Sequence, residues 1–274
     1  MANIPFMKLS GAGNDFVIID NRHSVIPANE VDFVMKVCAR RVSVGADGLL
    51  LVEDSDVADF KMRYFNSDGS EAETCGNGAR CISKFAYING IASEKMRFET
   101  KAGIYEAEII ADNVRVSMSD PTDVRLNFPL RMADGIHEVY FANTGVPHVV
   151  FFVEDLENTD VFSLGREIRY HDDFKPAGTN ANFVHVRDEH AMDIRTYERG
   201  VEDETLACGT GAIASAVVSA LLGKIKLPVA MNTAGGYILT IYFNIEDDKV
   251  TNVHLEGDAR IIYSGELNQD AWDY

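Results

Sequence analysis

Short apolar runs separated by turn formers fill the first half of the chain, and helical spacing interrupts them only twice. Residues 15–20 and 48–53 are apolar stretches of strand length, the pattern of a strand covered on both faces. Residues 60–65 alternate apolar and polar, as a half-exposed strand does. Val31, Val34, Met35 and Cys38 recur at helical spacing and predict a helix over 31–41 with basic residues at its end. A second helix is predicted after Cys75, stopping at Asn89-Gly90. Paired strands follow at 95–100, 104–111 and 114–119.

Asp120-Pro121-Thr122 interrupts this series and marks the best boundary. Beyond it the plan repeats, with strand runs at 139–142, 148–153, 182–186 and 193–197 ahead of a long helix over 209–222. That helix is apolar nearly all round, so it must be buried on all sides, with strands wrapped around it. Cys75-Gly76-Asn77-Gly78-Ala79 and Cys208-Gly209-Thr210-Gly211-Ala212 lie 133 residues apart. Tyr64 and Tyr197, Gly90 and Gly223, Thr100 and Thr233, and Gly103 and Gly236 keep the same offset. A constant offset in a chain barely longer than twice that offset indicates a duplicated domain. The expected halves are 1–120, with 262–274 returning to it, and 121–261.

The 274 residues suit two domains of ordinary size, and 46% hydrophobic with 25% charged residues is the composition of a globular protein. A formal net charge of −18 argues against nucleic acid as a partner, because phosphate-backbone binding needs clustered Lys and Arg. The opening Met1-Ala2-Asn3-Ile4-Pro5 has no basic stretch leading into an apolar one. The longest apolar stretch, 212–222, is too short to span a bilayer, so no membrane partner and a cytoplasmic location are expected. Four cysteines (Cys38, Cys75, Cys81, Cys208) in such a chain are expected to be reduced, without a disulfide framework.

A cysteine ahead of Gly-x-Gly at a helix start sits where unpaired backbone N–H groups and the positive helix end converge. Both favour a thiolate, and the same N–H groups can hold a carboxylate. Two such loops on opposite sides of a carboxylate-bearing carbon can remove a proton from one face and deliver one to the other, inverting a stereocentre. No metal or cofactor is expected, since the chain has neither a Cys-x2-Cys ligand pair nor a Schiff-base lysine motif. A single cysteine before a Gly-rich turn is more often a small buried residue, but duplication at matched positions favours a shared role. Cys81, whose counterpart is Ala214, and Cys38, on an apolar helical face, read as core. Asn66 and Arg199 occupy corresponding positions, and an arginine there can hold a carboxylate in bidentate fashion. Glu198, His148 and Asn180 are weaker candidates, each with an ordinary structural explanation.

Gly11-Ala12-Gly13-Asn14-Asp15-Phe16, Phe65-Asn66-Ser67-Asp68-Gly69-Ser70, Glu73-Thr74-Cys75-Gly76-Asn77-Gly78-Ala79-Arg80, Gly178-Thr179-Asn180 and the stretch from Glu198-Arg199-Gly200 to Ala207-Cys208-Gly209-Thr210-Gly211 together resemble diaminopimelate epimerase, in order over nearly the whole chain. The resemblance implies an α/β (α+β) fold of two pseudo-symmetric domains, each a curled, mostly antiparallel sheet around a central helix, with substrate in the cleft between them. It implies a cofactor-independent isomerase that interconverts LL- and meso-2,6-diaminopimelate by a two-base thiol/thiolate mechanism, in lysine and peptidoglycan precursor biosynthesis. It also implies a homodimer. Carried across by position, Cys75 and Cys208 are the acid/base pair. Gly76, Asn77, Gly209 and Thr210 cradle the reacting carboxylate, and Glu198 and His148 surround the reacting centre. Asn14, Asn66, Asn180 and Arg199 hold the distal amino acid end. Three features depart from the family pattern: Val146 in place of asparagine, Gly48 in place of glutamine, and a Glu198-to-Cys208 segment longer by one residue.

Two rival readings remain open on the sequence. One is a two-cysteine racemase of proline or hydroxyproline, against which Arg199 and the distal asparagines argue. The other is a binding or redox-sensing protein in which Cys75 and Cys208 form a reversible disulfide.

Overall fold

The structure, a computed structural model, describes residues 3–73 and 75–274. Met1 and Ala2 of the opening stretch and Thr74 of the Cys75 motif lie outside the described residues. The chain divides into two compact units, one running up to Val116 and resuming at Gly257–Tyr274, the other Ser117–Glu256.

The first unit contains β1 (Ile4–Gly11), β2 (Asn14–Asp20), α1 (Glu30–Cys38), β3 (Gly48–Glu53), β4 (Phe60–Asn66), β5 (Glu71–Ala72), α2 (Gly76–Ile88), β6 (Lys95–Thr100), β7 (Gly103–Ile110) and β8 (Asn113–Ser117). A last strand, Arg260–Leu267, pairs antiparallel with β1. From there, β1–β2 is antiparallel, β2–β3 parallel, β3–β4 antiparallel, β4–β6 parallel, and β6–β7 and β7–β8 antiparallel. β2 and β3 are apolar along their length because both faces are covered. Their Val17, Ile19, Leu49 and Leu51 join Phe33, Val34 and Val37 of α1 in one core cluster, while α2 touches both strands from the other side.

The second unit contains β9 (Thr122–Met132), β10 (Gly135–Asn143), β11 (Pro147–Phe152), α3 (Val161–Arg169), β12 (Asn180–Asp188), β13 (Ala191–Glu198), β14 (Asp203–Thr205), α4 (Gly209–Leu221), β15 (Val229–Thr233), β16 (Ile238–Glu246) and β17 (Lys249–Asp258). Its pairings repeat those of the first unit strand for strand. β9–β10 and β10–β11 are antiparallel, β11–β12 parallel, β12–β13 antiparallel, β13–β15 parallel, and β15–β16 and β16–β17 antiparallel. α4 is buried on all sides from Gly211 to Ser219 and touches β10, β11, β12, β15 and β16. The fold class is therefore the expected one, a mixed α/β chain with a mostly antiparallel sheet around a central helix in each unit. Both central helices stop at glycines in the left-handed region, Gly90 (φ 66°) and Gly223 (φ 69°), a conformation other residues adopt only with strain.

α1 is shorter than the helix predicted over 31–41. Ala39 turns extended (ψ 111°), and beyond it Arg40 reaches Asp15 at 2.6 Å and Asp47 at 2.8 Å. α3 was not predicted. Gly165 in its middle lowers helix propensity, yet it is what lets the helix pack, because a Cβ there would stand 2.3 Å from Tyr197 Cβ. Its N-cap is conventional, with the Asp160 carboxylate accepting from Ser163 N at 3.0 Å. No helix of the described residues is long and apolar enough to cross a membrane.

Candidate active site

Each signature cysteine is the N-cap of the central helix of its own unit. Cys75 precedes α2 in an extended conformation (φ −146°, ψ 124°), and Cys208 precedes α4 in the same region (φ −121°, ψ 109°). The first intrahelical bonds run from Ala79 N to the Cys75 carbonyl at 2.7 Å and from Ala212 N to the Cys208 carbonyl at 2.9 Å. The N–H groups of Gly76, Asn77 and Gly78, and of Gly209, Thr210 and Gly211, precede those bonds. They belong to the helix-start set that has no intrahelical partner. Each cysteine thus stands beside a cluster of donors at the positive end of a helix dipole.

The surroundings are duplicated in position and varied in chemistry. In the first unit the half-buried Cys75 thiol donates to Asn14 Oδ1 at 3.7 Å, and Asn14 Nδ2 donates to Asp47 at 2.7 Å. Asp47 also accepts from Asp15 N at 3.1 Å. In the second unit Asn180, at the position equivalent to Asp47, donates to the Pro147 carbonyl at 2.9 Å, and Pro147 is equivalent to Asn14. Asn180 Oδ1 accepts from Arg199 N at 2.8 Å, while the Arg199 guanidinium donates to the Ala177 carbonyl at 3.4 Å. Asn66, the counterpart of Arg199, accepts from the Tyr64 hydroxyl at 2.7 Å and donates to Ser70 at 3.0 Å.

Position 11 and its counterpart 144 touch the cysteine loops in both units. A Cβ on Gly11 would lie 3.2 Å from the Asn77 carbonyl oxygen, and the Thr144 hydroxyl donates to the Thr210 carbonyl at 3.0 Å. The Cys75 loop has a further clamp in the fully buried Arg80. Its guanidinium donates to Asn77 Oδ1 at 2.8 Å, to the Gly76 carbonyl at 3.3 Å and to the Asp258 carbonyl at 3.1 Å. Asp258 in turn accepts from Ala12 N at 2.8 Å, tying the Gly-rich opening motif to the same loop.

In the second unit the buried Cys208 has Sγ 3.5 Å from the Thr210 hydroxyl. His148 is fully buried, and burial first, with the nearby Arg199 charge second, pulls its pKa down to about 3. Its Nδ1 faces Asn182 Nδ2 at 3.1 Å. Burial pushes the Glu198 carboxyl above the usual glutamate range, with the neighbouring Thr205 hydroxyl opposing the shift. Buried Cys81 and Cys38 lie in the core, the thiol of Cys38 pushed up to about 12 by burial. The lengthened segment before Cys208 is fastened by Glu202, which accepts from Gly200 N and from Arg169 Nε, both at 3.0 Å.

The structure thus gathers Cys75, Gly76, Asn77 and Asn14 at one helix start, while Asn66 pairs with Gly48, the residue after Asp47. In the other unit it places Cys208, Gly209 and Thr210 at the helix start and joins Asn180 to Arg199. Asp47, Arg80, Asn182 and Thr144 complete these sets; the sequence assigns none of the four a role at the site, although Arg80 closes the Cys75 motif. Asp47 was accessible to it, because the 133-residue offset carries Asn180 back onto that position.

A family model described as diaminopimelate epimerase matches residues 6–124 and 140–262. A diaminopimelate epimerase of Aquifex aeolicus is 46% identical, with 98% of this chain and 99% of the relative covered. One of Archaeoglobus fulgidus is 44% identical, with 99% of each covered. Among solved structures, a PhzF-family phenazine biosynthesis protein of Bacillus anthracis superposes with TM-score 0.73 at 17% identity, covering 98% of this chain and 100% of that one. A probable proline racemase of Agrobacterium radiobacter superposes with TM-score 0.72 at 15% identity, covering 98% and 94%. At such low identity these two likenesses speak to the fold. With the family model matching in both halves, and relatives this similar covered end to end, the chain belongs to the diaminopimelate epimerase family.

Proposed function

We propose that this chain interconverts LL- and meso-2,6-diaminopimelate without a cofactor, using Cys75 and Cys208 as its two bases, and so serves the route to lysine and peptidoglycan precursors. The observation that carries the reading is the repetition of one device: a cysteine N-cap ahead of a Gly-x-Gly helix start, at equivalent places in two units of the same strand order. The names of the full-length relatives supply the substrate.

In this scheme one cysteine rests as thiolate and the other as thiol. The thiolate takes the α-proton from one face, and the electron pair left on carbon spreads into the substrate carboxylate. The opposite thiol then protonates the other face, and the two sulfurs have exchanged roles. Negative charge that grows on the carboxylate is met by the N–H groups of Gly76, Asn77, Gly209 and Thr210, which are fixed before the reaction begins. Asn14, Asn66, Asn180 and Arg199 hold the distal amino acid end, and Glu198 and His148 stand around the reacting centre. A substrate with a single zwitterionic end leaves that distal set unused.

In heavy water under reducing conditions, LL-diaminopimelate is expected to gain deuterium at one α-carbon as the meso isomer forms. Mass spectrometry of the product checks this, and product that keeps the original hydrogen sinks the two-base scheme. Proline in a parallel sample is expected to exchange nothing.

A further inference from the structure

Asn182 has no place in the scheme above, yet it is fully buried, and both its amide hydrogens and its amide oxygen are engaged. Nδ2 donates to the Val149 carbonyl at 2.8 Å, an atom that can only accept, so the orientation of the amide is fixed. Oδ1 accepts from the Thr196 hydroxyl at 3.0 Å. The remaining Nδ2 hydrogen faces His148 Nδ1 at 3.1 Å. A ring nitrogen that accepts from an amide carries no proton, which places the ring proton of His148 on Nε2.

That Nε2 is buried and has no hydrogen-bond partner among the described residues. A buried donor without a partner is rare in a folded protein and calls for an explanation. Its location supplies one. Asn182 Oδ1 lies only 2.2 Å from where a Cβ on Gly211 would stand, and that Cβ would be 3.3 Å from Cys208 Sγ. The chain Thr196–Asn182–His148 therefore runs against the first turn of α4, and the Arg199 charge acts on the same imidazole.

We propose that Asn182 is a positioning residue that locks His148 as a neutral donor through Nε2, offered to a carboxylate oxygen of the substrate, and so bars His148 from serving as a base at Nδ1. This rests on the reading of Cys208 and its loop as part of an amino acid epimerase site.

The tautomer is measurable in the wild-type protein before any substrate is added, by two-bond 1H–15N correlation on a 15N-labelled sample. The expected result is a pyridine-type Nδ1 and a pyrrole-type Nε2 that hold from about pH 5 to 8, where an ordinary histidine titrates. Saturation with diaminopimelate should then move the Nε2 proton downfield. In Asn182→Asp the carboxylate accepts where the amide donated, so the proton should move to Nδ1. KM should rise about tenfold with kcat within about threefold. A role in packing alone would lower thermal stability and leave the tautomer in place. A proton on Nδ1 in the wild type, or an Nε2 signal unmoved in a sample that is epimerising diaminopimelate, overturns the proposal. Failure to epimerise in that sample strikes the functional reading, which is separate from the tautomer already recorded.

Discussion

Cys75→Ala and Cys208→Ala are each expected to lower epimerisation of diaminopimelate by roughly 10²–10⁴-fold, the range associated with losing one positioned acid or base. Neither change asks much of the fold, since each removes one sulfur at a helix N-cap and leaves the backbone donors in place. Circular dichroism should show both variants folded. Their residual chemistry is expected to differ. Each keeps one sulfur, which can still remove and return a proton on its own face. One variant should therefore exchange the α-hydrogen of the LL isomer without inverting it, and the other should do so at the corresponding centre of the meso isomer. Proton NMR in heavy water, run on each isomer separately, reads both rates. Wild-type turnover in either variant would remove that cysteine from the mechanism. Exchange of the same isomer by both variants would contradict opposite-face chemistry.

The second large effect is expected at Gly211, with Gly78 as its internal control. The two glycines are equivalent by offset and occupy the same helical turn, yet the space around them differs. A Cβ on Gly78 would meet Leu50 and Met62 at 3.5 Å, ordinary contact, whereas a Cβ on Gly211 would stand 2.2 Å from Asn182 Oδ1. Asn182 cannot easily retreat, because it is held by Thr196, Val149 and His148 together. Gly78→Ala should match the wild type or gain the helix preference of alanine over glycine, about 0.5–1 kcal/mol. Gly211→Ala should lose about 2–3 kcal/mol through overpacking and a broken buried network. In a chain of this size that separates the two variants by roughly 5–15 °C in melting temperature. Equal melting points would mean that the close approach at Gly211 is absent.

The strands read best from sequence were those covered on both faces. β2 and β3 need an unbroken apolar run, and that demand survives without knowledge of neighbours. α4 was legible for a different reason, since a helix that a sheet encloses on all sides is apolar nearly all round, whereas α2 was legible from the cysteine motif that starts it and the repeated glycine that stops it. Elements governed by one distant contact were not legible. α3 carries a glycine that only the bulk of Tyr197 explains. β9 pairs with β10 and contains Pro129, which a strand tolerates where no partner needs its N–H. β15 and β16 could have been found by carrying β6 and β7 forward through the repeat. At the site, the cysteines were legible because duplication turned two ordinary residues into a pattern. Asn182 was not, since a polar residue at the start of an apolar strand says nothing about the histidine it holds two residues along the neighbouring strand.

Strand order also sets an order of events during synthesis. The second unit is one contiguous segment, Ser117–Glu256, and has all its strands once that segment has left the ribosome. The first unit begins earlier but waits longer. Its β1 stays unpaired on one side until Arg260–Leu267 arrives to lie against Ile4–Ser10. Through most of translation the amino-terminal half therefore carries an open strand edge, the kind of surface that invites pairing with another nascent chain. The closing strand is only eight residues long, so a nonsense codon that removes it would leave that edge permanently uncovered while the second unit retains every strand it needs.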